Sequence, residues 1–117
     1  MKPILYISGP FSHEDTLHGI EQNILTASKY ALEAWKNGFY CICPHKNTSG
    51  FQHCDLPYET WIEGDLAFID RMQANKGDCL LMLDGWDKSK GAVKERDFAL
   101  EKGLKIYYVC TGIPKTN

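Results

Sequence analysis

Short apolar runs alternate with longer stretches of helical period along this chain, and that alternation restricts the fold more than any other feature. Residues 3–8 (PILYIS), 39–43 (FYCIC), 78–83 (DCLLML) and 104–110 (LKIYYVC) read as strands, bounded by glycine, proline or turn-forming clusters. Residues 14–37 carry Leu17, Ile20, Ile24, Ala27, Ala31 and Trp35 at spacings of three and four, which predicts an amphipathic helix stopped at Asn37-Gly38. Pro57 opens a second helix containing Trp61, Ile62, Leu66, Ile69 and Met72, broken at residues 74–77. Residues 91–102 form a third, stopped at Gly103. Residues 45–56 have no clear period and read as a loop, and the tail TGIPKTN reads as loose. Strand–helix alternation gives right-handed crossovers and a parallel sheet covered on both faces. The expectation is an α/β chain: a Rossmann-like or flavodoxin-like three-layer sandwich of about four parallel strands, order 2-1-3-4, with residues 1–117 as one domain.

In such sheets ligands bind beyond the carboxyl ends of the strands. The segments there are 9–13, 44–47 and 84–91, all rich in polar and turn-forming residues. A formal net charge of −2 with scattered Lys and Arg gives no electrostatic footprint for a nucleic acid polymer. No apolar run approaches the ~20 residues of a membrane span. The opening MKPILYISGPF is too short in its apolar part for a signal peptide and has no small-residue cleavage site, so a buried first strand is expected. Of five cysteines, Cys41, Cys43, Cys79 and Cys110 lie in strand-like runs, as buried thiols do, which points to a reducing cytoplasm.

On a wheel of 100° per residue, Lys90, Lys94, Asp97 and Glu101 group on one side of the third helix. Ala92, Val93, Phe98, Ala99 and Leu100 cover the rest, and Glu95 falls among them. An inward carboxylate is costly unless it is paired or hydrogen-bonded. Either Glu95 is structural, paired with Arg96 or another cation, or it is held there for chemistry. Ser89 is a good cap for this helix, and its hydroxyl with free backbone N–H groups also suits an anion. Gly91 would let a ligand approach the backbone.

These pieces together resemble the nucleoside 2-deoxyribosyltransferase superfamily. YISGPF is similar to its Tyr-x-x-Gly-Pro-Phe opening, and DCLLMLDGWDKSKGAVKERDFALEKGLKI to its signature of Asp, apolar strand, Ser or Asp, Gly, then Glu. The Leu-x-Gly-Trp-x-x-Ser-x-Gly-Ala-x-x-Glu form, with Asn23 and Gly38, most resembles a branch of small, often phage-encoded relatives. Deoxynucleoside 5′-monophosphate N-glycosidases are close to it as well. The resemblance covers nearly the whole chain, to Val109; larger relatives continue into a fifth strand.

The resemblance implies cleavage or exchange of an N-glycosidic bond, with Glu95 as nucleophile and Tyr6 orienting it. Asp65 matches the family acid best; Asp70 has the shorter spacing to Asp78, and Asp84 is a third carboxylate near the strand end. Gly9, Pro10, Phe11, Ser89 and Gly91 would hold the sugar and its 5′ group. Ser in place of an acid at 89 tilts the reading toward a 5′-monophosphate, against which the charges of Asp87 and Glu14 work. His45 and Trp86 would line the base pocket; solvent exposure for the first and packing for the second are the competing readings. No cofactor is implied, the partner is a small nucleoside or nucleotide, and family sites completed by a neighbouring subunit imply a homodimer or larger homo-oligomer. Phe51, Tyr58 and Trp61 are candidates for that interface.

Three rival readings stand beside this one. Cys41, Cys43, His45, His53 and Cys54 are soft ligands, but their spacing does not match paired zinc motifs. A nucleotide-binding module without chemistry would keep the fold and lose the reaction. A flavodoxin-like redox role lacks the expected Ser, Thr and Gly run after the first strand.

Overall fold

The computed structural model describes residues 1–11, 17–51 and 54–116. Strands β1 (Ile4–Ser8), β2 (Tyr40–Ile42), β3 (Cys79–Met82) and β4 (Lys105–Tyr108) form one sheet in the order β2-β1-β3-β4. Every pairing is parallel: Leu5 lies opposite Cys41 and Cys79, and Leu81 opposite Tyr107. The α/β class and the strand order follow the sequence expectation. The helices are α1 (Leu17–Lys36), α2 (Pro44–Asn47), α3 (Tyr58–Asp70) and α4 (Lys90–Glu101).

Successive side chains of a strand point to opposite faces, and each face of this sheet has its own core. Leu5 and Ile7 of β1, with Cys79 and Leu81 of β3, pack against Ala27, Ala31 and Ala34 of α1. The alanines let that helix lie close to the sheet. Tyr6 of β1, with Leu80 and Met82 of β3, faces Ile69 of α3 and Ala92 and Ala99 of α4. Each fully buried leucine or isoleucine contributes roughly 1.5–3 kcal/mol, so both layers are held mainly by these contacts.

Helices α3 and α4 run side by side in the same direction. The Tyr58 hydroxyl lies against Gly91 at their first turns, and Lys102 Nζ bonds Asp70 Oδ1 at 3.1 Å at their far ends. Asp78, which opens the apolar run of β3, is buried and accepts from the backbone N–H groups of Ile4 (2.8 Å) and Gln73 (2.7 Å). It ties the end of α3 to the start of β1. The Leu83 N–H donates to the Ser8 carbonyl at 2.8 Å, which draws the two strand ends together. A Cβ on Gly9 would sit 2.8 Å from Leu83 Cβ, so only glycine fits there.

Several local expectations need correction. Residues 45–56 are not all loop: Pro44 starts the one-turn helix α2, with the Lys46 and Asn47 N–H groups bonded to the Cys43 carbonyl. The tail is docked rather than loose. The Thr116 N–H donates to the Asn37 carbonyl at 2.9 Å, and its hydroxyl to that of Gly38 at 2.8 Å. Leu100 is half-exposed, although the wheel put it on the inner arc. Cys110 is exposed in a short 3-10 turn after β4, and Cys41 and Cys43 are only half-buried. The first three residues expected in the first helix, 14–16, lie outside the described residues. So do residues 12–13 of the first candidate ligand loop. Among the described residues no helix is long and apolar enough to cross a membrane.

Candidate active site

The alternation that sends Leu5 and Ile7 to one core sends Tyr6 and Ser8 to the other, beneath α4. Glu95 meets them there. It sits one turn into α4, is 6% exposed, and uses both carboxylate oxygens. The Tyr6 hydroxyl donates to Oε2, and the Ser8 hydroxyl donates to Oε1 at 2.7 Å. Two residues of one strand thus hold the carboxylate from below. Tyr6 and Ser8 are themselves fully buried, so neither hydroxyl has water as an alternative partner.

Asp65 approaches from α3. Its side chain is half-buried and its carboxyl interacts directly with that of Glu95. Burial raises the Glu95 carboxyl well above the ordinary range; the hydroxyl bonds from Tyr6 and Ser8 oppose that, and the charge of Asp65 adds to it. Burial raises Asp65 as well, to a smaller extent. Two carboxyls this close do not both ionise readily, so the pair keeps one shared proton as its first proton leaves. Burial, with the field of Glu95 behind it, also lifts the Tyr6 phenol, which stays a donor.

The competing assignment of Glu95 to an ion pair with Arg96 does not hold. Arg96 Nη2 bonds Asp97 at 2.9 Å, and its guanidinium lies 4.7 Å from the Trp86 ring centroid. Trp86 in turn rests on Tyr108, with centroids 5.5 Å apart. Trp86 is therefore a packing anchor at the turn, held between an arginine and a tyrosine.

The other predicted site residues fall into two groups. Ser89 caps α4, its Oγ accepting from the Ala92 N–H at 3.2 Å. The space over Gly91 is not open to a ligand here: a Cβ there would lie 2.8 Å from the Tyr58 hydroxyl and 3.5 Å from Ile62 Cδ1. Pro10, Phe11 and His45 form a second group beyond β1. His45 Nε2 faces the Pro10 carbonyl at 2.9 Å, the Phe11 ring lies 5.8 Å from the imidazole, and Asn23 Nδ2 donates to the Phe11 carbonyl at 3.0 Å. His45 is buried, not solvent-exposed. Because a carbonyl only accepts, Nε2 carries the proton, and burial keeps the ring neutral by lowering its pKa. Its buried Nδ1 has no hydrogen-bond partner among the described residues.

Asp70 and Asp84 are both exposed, and Asp70 is engaged by Lys102, so neither stands with Glu95. A cavity of about 390 Å³ opens at the carboxyl end of β2, lined by Ile42, Cys43, Pro44, Lys46, Asn47 and Phe68. Glu95 and Asp65 do not line it, but Phe68 is one turn beyond Asp65 on α3. Among the described residues no three His, Cys, Asp or Glu side chains assemble a metal site; His53 lies outside them.

Ser8 and Tyr58 were not singled out as site residues from the sequence. For Ser8 the signal was present: it is two residues from Tyr6 on a strand and must share its face. Tyr58 read as a surface aromatic because it precedes the apolar period of its helix.

A family model described as a domain of unknown function (DUF4406) matches residues 3–108. No curated protein matches the chain.

Proposed function

The chain belongs to the DUF4406 family, and we propose that it cleaves the N-glycosidic bond of a (deoxy)nucleoside 5′-monophosphate through a covalent glycosyl–Glu95 intermediate. The observation that carries this reading is a buried glutamate whose two oxygens accept from Tyr6 and Ser8 while a second carboxyl, Asp65, faces it. The ion pair with Arg96 that would account for Glu95 structurally is not formed, because Arg96 is engaged by Asp97. The resemblance of the 6–11 and 78–106 segments to nucleoside 2-deoxyribosyltransferases supports the same assignment.

At rest the shared proton sits on Glu95, the more strongly raised carboxyl of the pair; in the competent form it has moved to Asp65, and the anion on Glu95 is stabilised by two hydroxyl donors. A Glu95 oxygen bonds to the anomeric carbon as the bond to the base nitrogen breaks. The electron pair goes to the nitrogen, which takes the proton from Asp65. Water then adds to the anomeric carbon, its proton passes to Asp65, and Glu95 leaves as a carboxylate. Two inversions give net retention.

Ser89 supports a 5′-phosphate. Its oxygen accepts within the cap, so its O–H proton remains free to donate, and the first turn of α4 adds backbone N–H groups. A homodimer or larger homo-oligomer belongs to the same proposal, with half-exposed Phe51 as a contact, and sedimentation would test it.

The decisive experiment incubates the protein with deoxynucleosides and their 5′-monophosphates, with and without an acceptor base, and follows free base by chromatography. Release from monophosphates that is lost in Glu95→Ala is the expected result. Exchange on free nucleosides would instead make the protein a transferase. No turnover by folded protein would overturn the enzymatic reading in favour of a nucleotide-binding module.

A further inference from the structure

Tyr58 is the first residue of α3 and reaches across to α4. A surface tyrosine commonly buries its ring and offers its hydroxyl to water. Here the residue is 49% exposed, and its hydroxyl lies against Gly91 at the first turn of α4. On α3, Tyr58, Ile62 and Asp65 follow one another at spacings of four and three, so they share a face. On α4, Gly91 and Glu95 are one turn apart and share the opposing face. The seam therefore runs from Tyr58 against Gly91, past buried Ile62, to Asp65 against Glu95. Both carboxyls act on the Tyr58 phenol, which places it within their field. Lys94 Nζ stands 5.9 Å from the ring centroid on the outer side.

We propose that Tyr58 is the specificity-determining residue that governs the access of water to Glu95, with Gly91 as its seat. The inference rests on the reading of Glu95 as nucleophile and adds what decides the fate of the intermediate. With the phenol seated, the end of the seam beside the first turn of α4 is narrowed, water reaches the glycosyl group slowly, and an acceptor already in the site competes with it. With the phenol displaced, water enters by the same route. The oxygen that bonds to the anomeric carbon then comes from solvent, its proton passes to Asp65, and the bond to Glu95 breaks. Gly91 is required because any side chain there would push the hydroxyl out. The glycine thus serves the closure between two helices rather than a ligand.

Two measurements test this. The first needs no substrate: Glu95 is coupled to glycinamide with a water-soluble carbodiimide, and the rate is read by peptide mass. Tyr58→Ala and Gly91→Ala should each raise the rate by about tenfold, as opening a local closure does, while Tyr58→Phe keeps the wild-type rate. Circular dichroism establishes that each variant is folded, and Tyr58→Ala decides the matter if Gly91→Ala is not. The second compares hydrolysis with transfer to an added base, and the two opening variants should shift the ratio toward hydrolysis. Wild-type coupling rates in folded Tyr58→Ala would overturn the proposal. Absence of turnover in the wild type would remove the catalytic reading, yet the coupling rates would still decide whether Tyr58 covers Glu95.

Discussion

Glu95→Gln is expected to make the protein more stable, increasingly so as the pH rises. A buried glutamate whose pKa is raised by folding binds a proton more tightly in the native state than in the unfolded chain. Between the ordinary glutamate value, about 4.5, and the raised native value, the unfolded state holds fewer protons, so stability falls as pH rises. The contribution is fully present below the ordinary value and is lost through neutrality. Each pH unit of displacement corresponds to about 1.4 kcal/mol, so a native titration in the neutral range or above costs the wild type on the order of 3 kcal/mol at pH 8. Glutamine has the same shape as the protonated acid and does not titrate. Asp65, raised in the same sense, remains in both proteins, so the difference between them isolates most of the Glu95 part. Urea unfolding at half-unit intervals from pH 5 to pH 9 measures it. Near pH 5 the curves should coincide, and by pH 8 the variant should lead by a gap worth roughly 10 °C in melting temperature. Parallel pH profiles would refute the reasoning: Glu95 would then be an ordinary anion fully compensated by its two hydroxyl partners.

Asp65→Asn should lower turnover by about 10²–10⁴-fold, the usual contribution of a positioned acid, while leaving the fold intact. A pH–rate profile that loses one limb identifies the lost group as the proton carrier, whereas an unchanged profile would exclude it. Gly9→Ala should destabilise by about 1–3 kcal/mol through the Cβ contact with Leu83, read as a lower urea midpoint at unchanged slope. His45 stays neutral because burial lowers its pKa, so the native state resists a proton that the unfolded chain accepts below its ordinary value of 6.5. Stability should therefore drop as pH falls through 6.5, and His45→Gln should remove that acid-side loss in the same unfolding series.

The sheet and the inward turn of Glu95 were legible because both are questions of period. Alternation by two and spacing by three or four identify faces, and faces dictate layers. What a face will meet is less legible. The helix pattern offered Arg96 as a partner for Glu95 without saying that Trp86 and Asp97 would hold it. Leu100 lies on an apolar arc wider than the sheet can cover, so it remains half-exposed. His45 looked like a loop residue because its burial depends on Pro10 and Phe11, more than thirty residues away. The docked tail depends likewise on a distant partner, the carbonyls of Asn37 and Gly38 at the end of α1. Gly91 is the instructive case. A glycine at a helix start suggests room for a ligand, and only the neighbouring helix reveals that Tyr58 occupies that room.

Tyr6 and Ser8 lie on β1, an interior strand flanked by β2 and β3. Amide protons in such a strand exchange with solvent only when the whole sheet comes apart. The groups that grip Glu95 therefore belong to the last part of the molecule to open, and their alignment is inherited from the cooperative unit of folding itself. Changes in the surrounding loops are free to retune which molecule is held without disturbing the grip, and a variant that loosens the grip through β1 will register first as a loss of global stability.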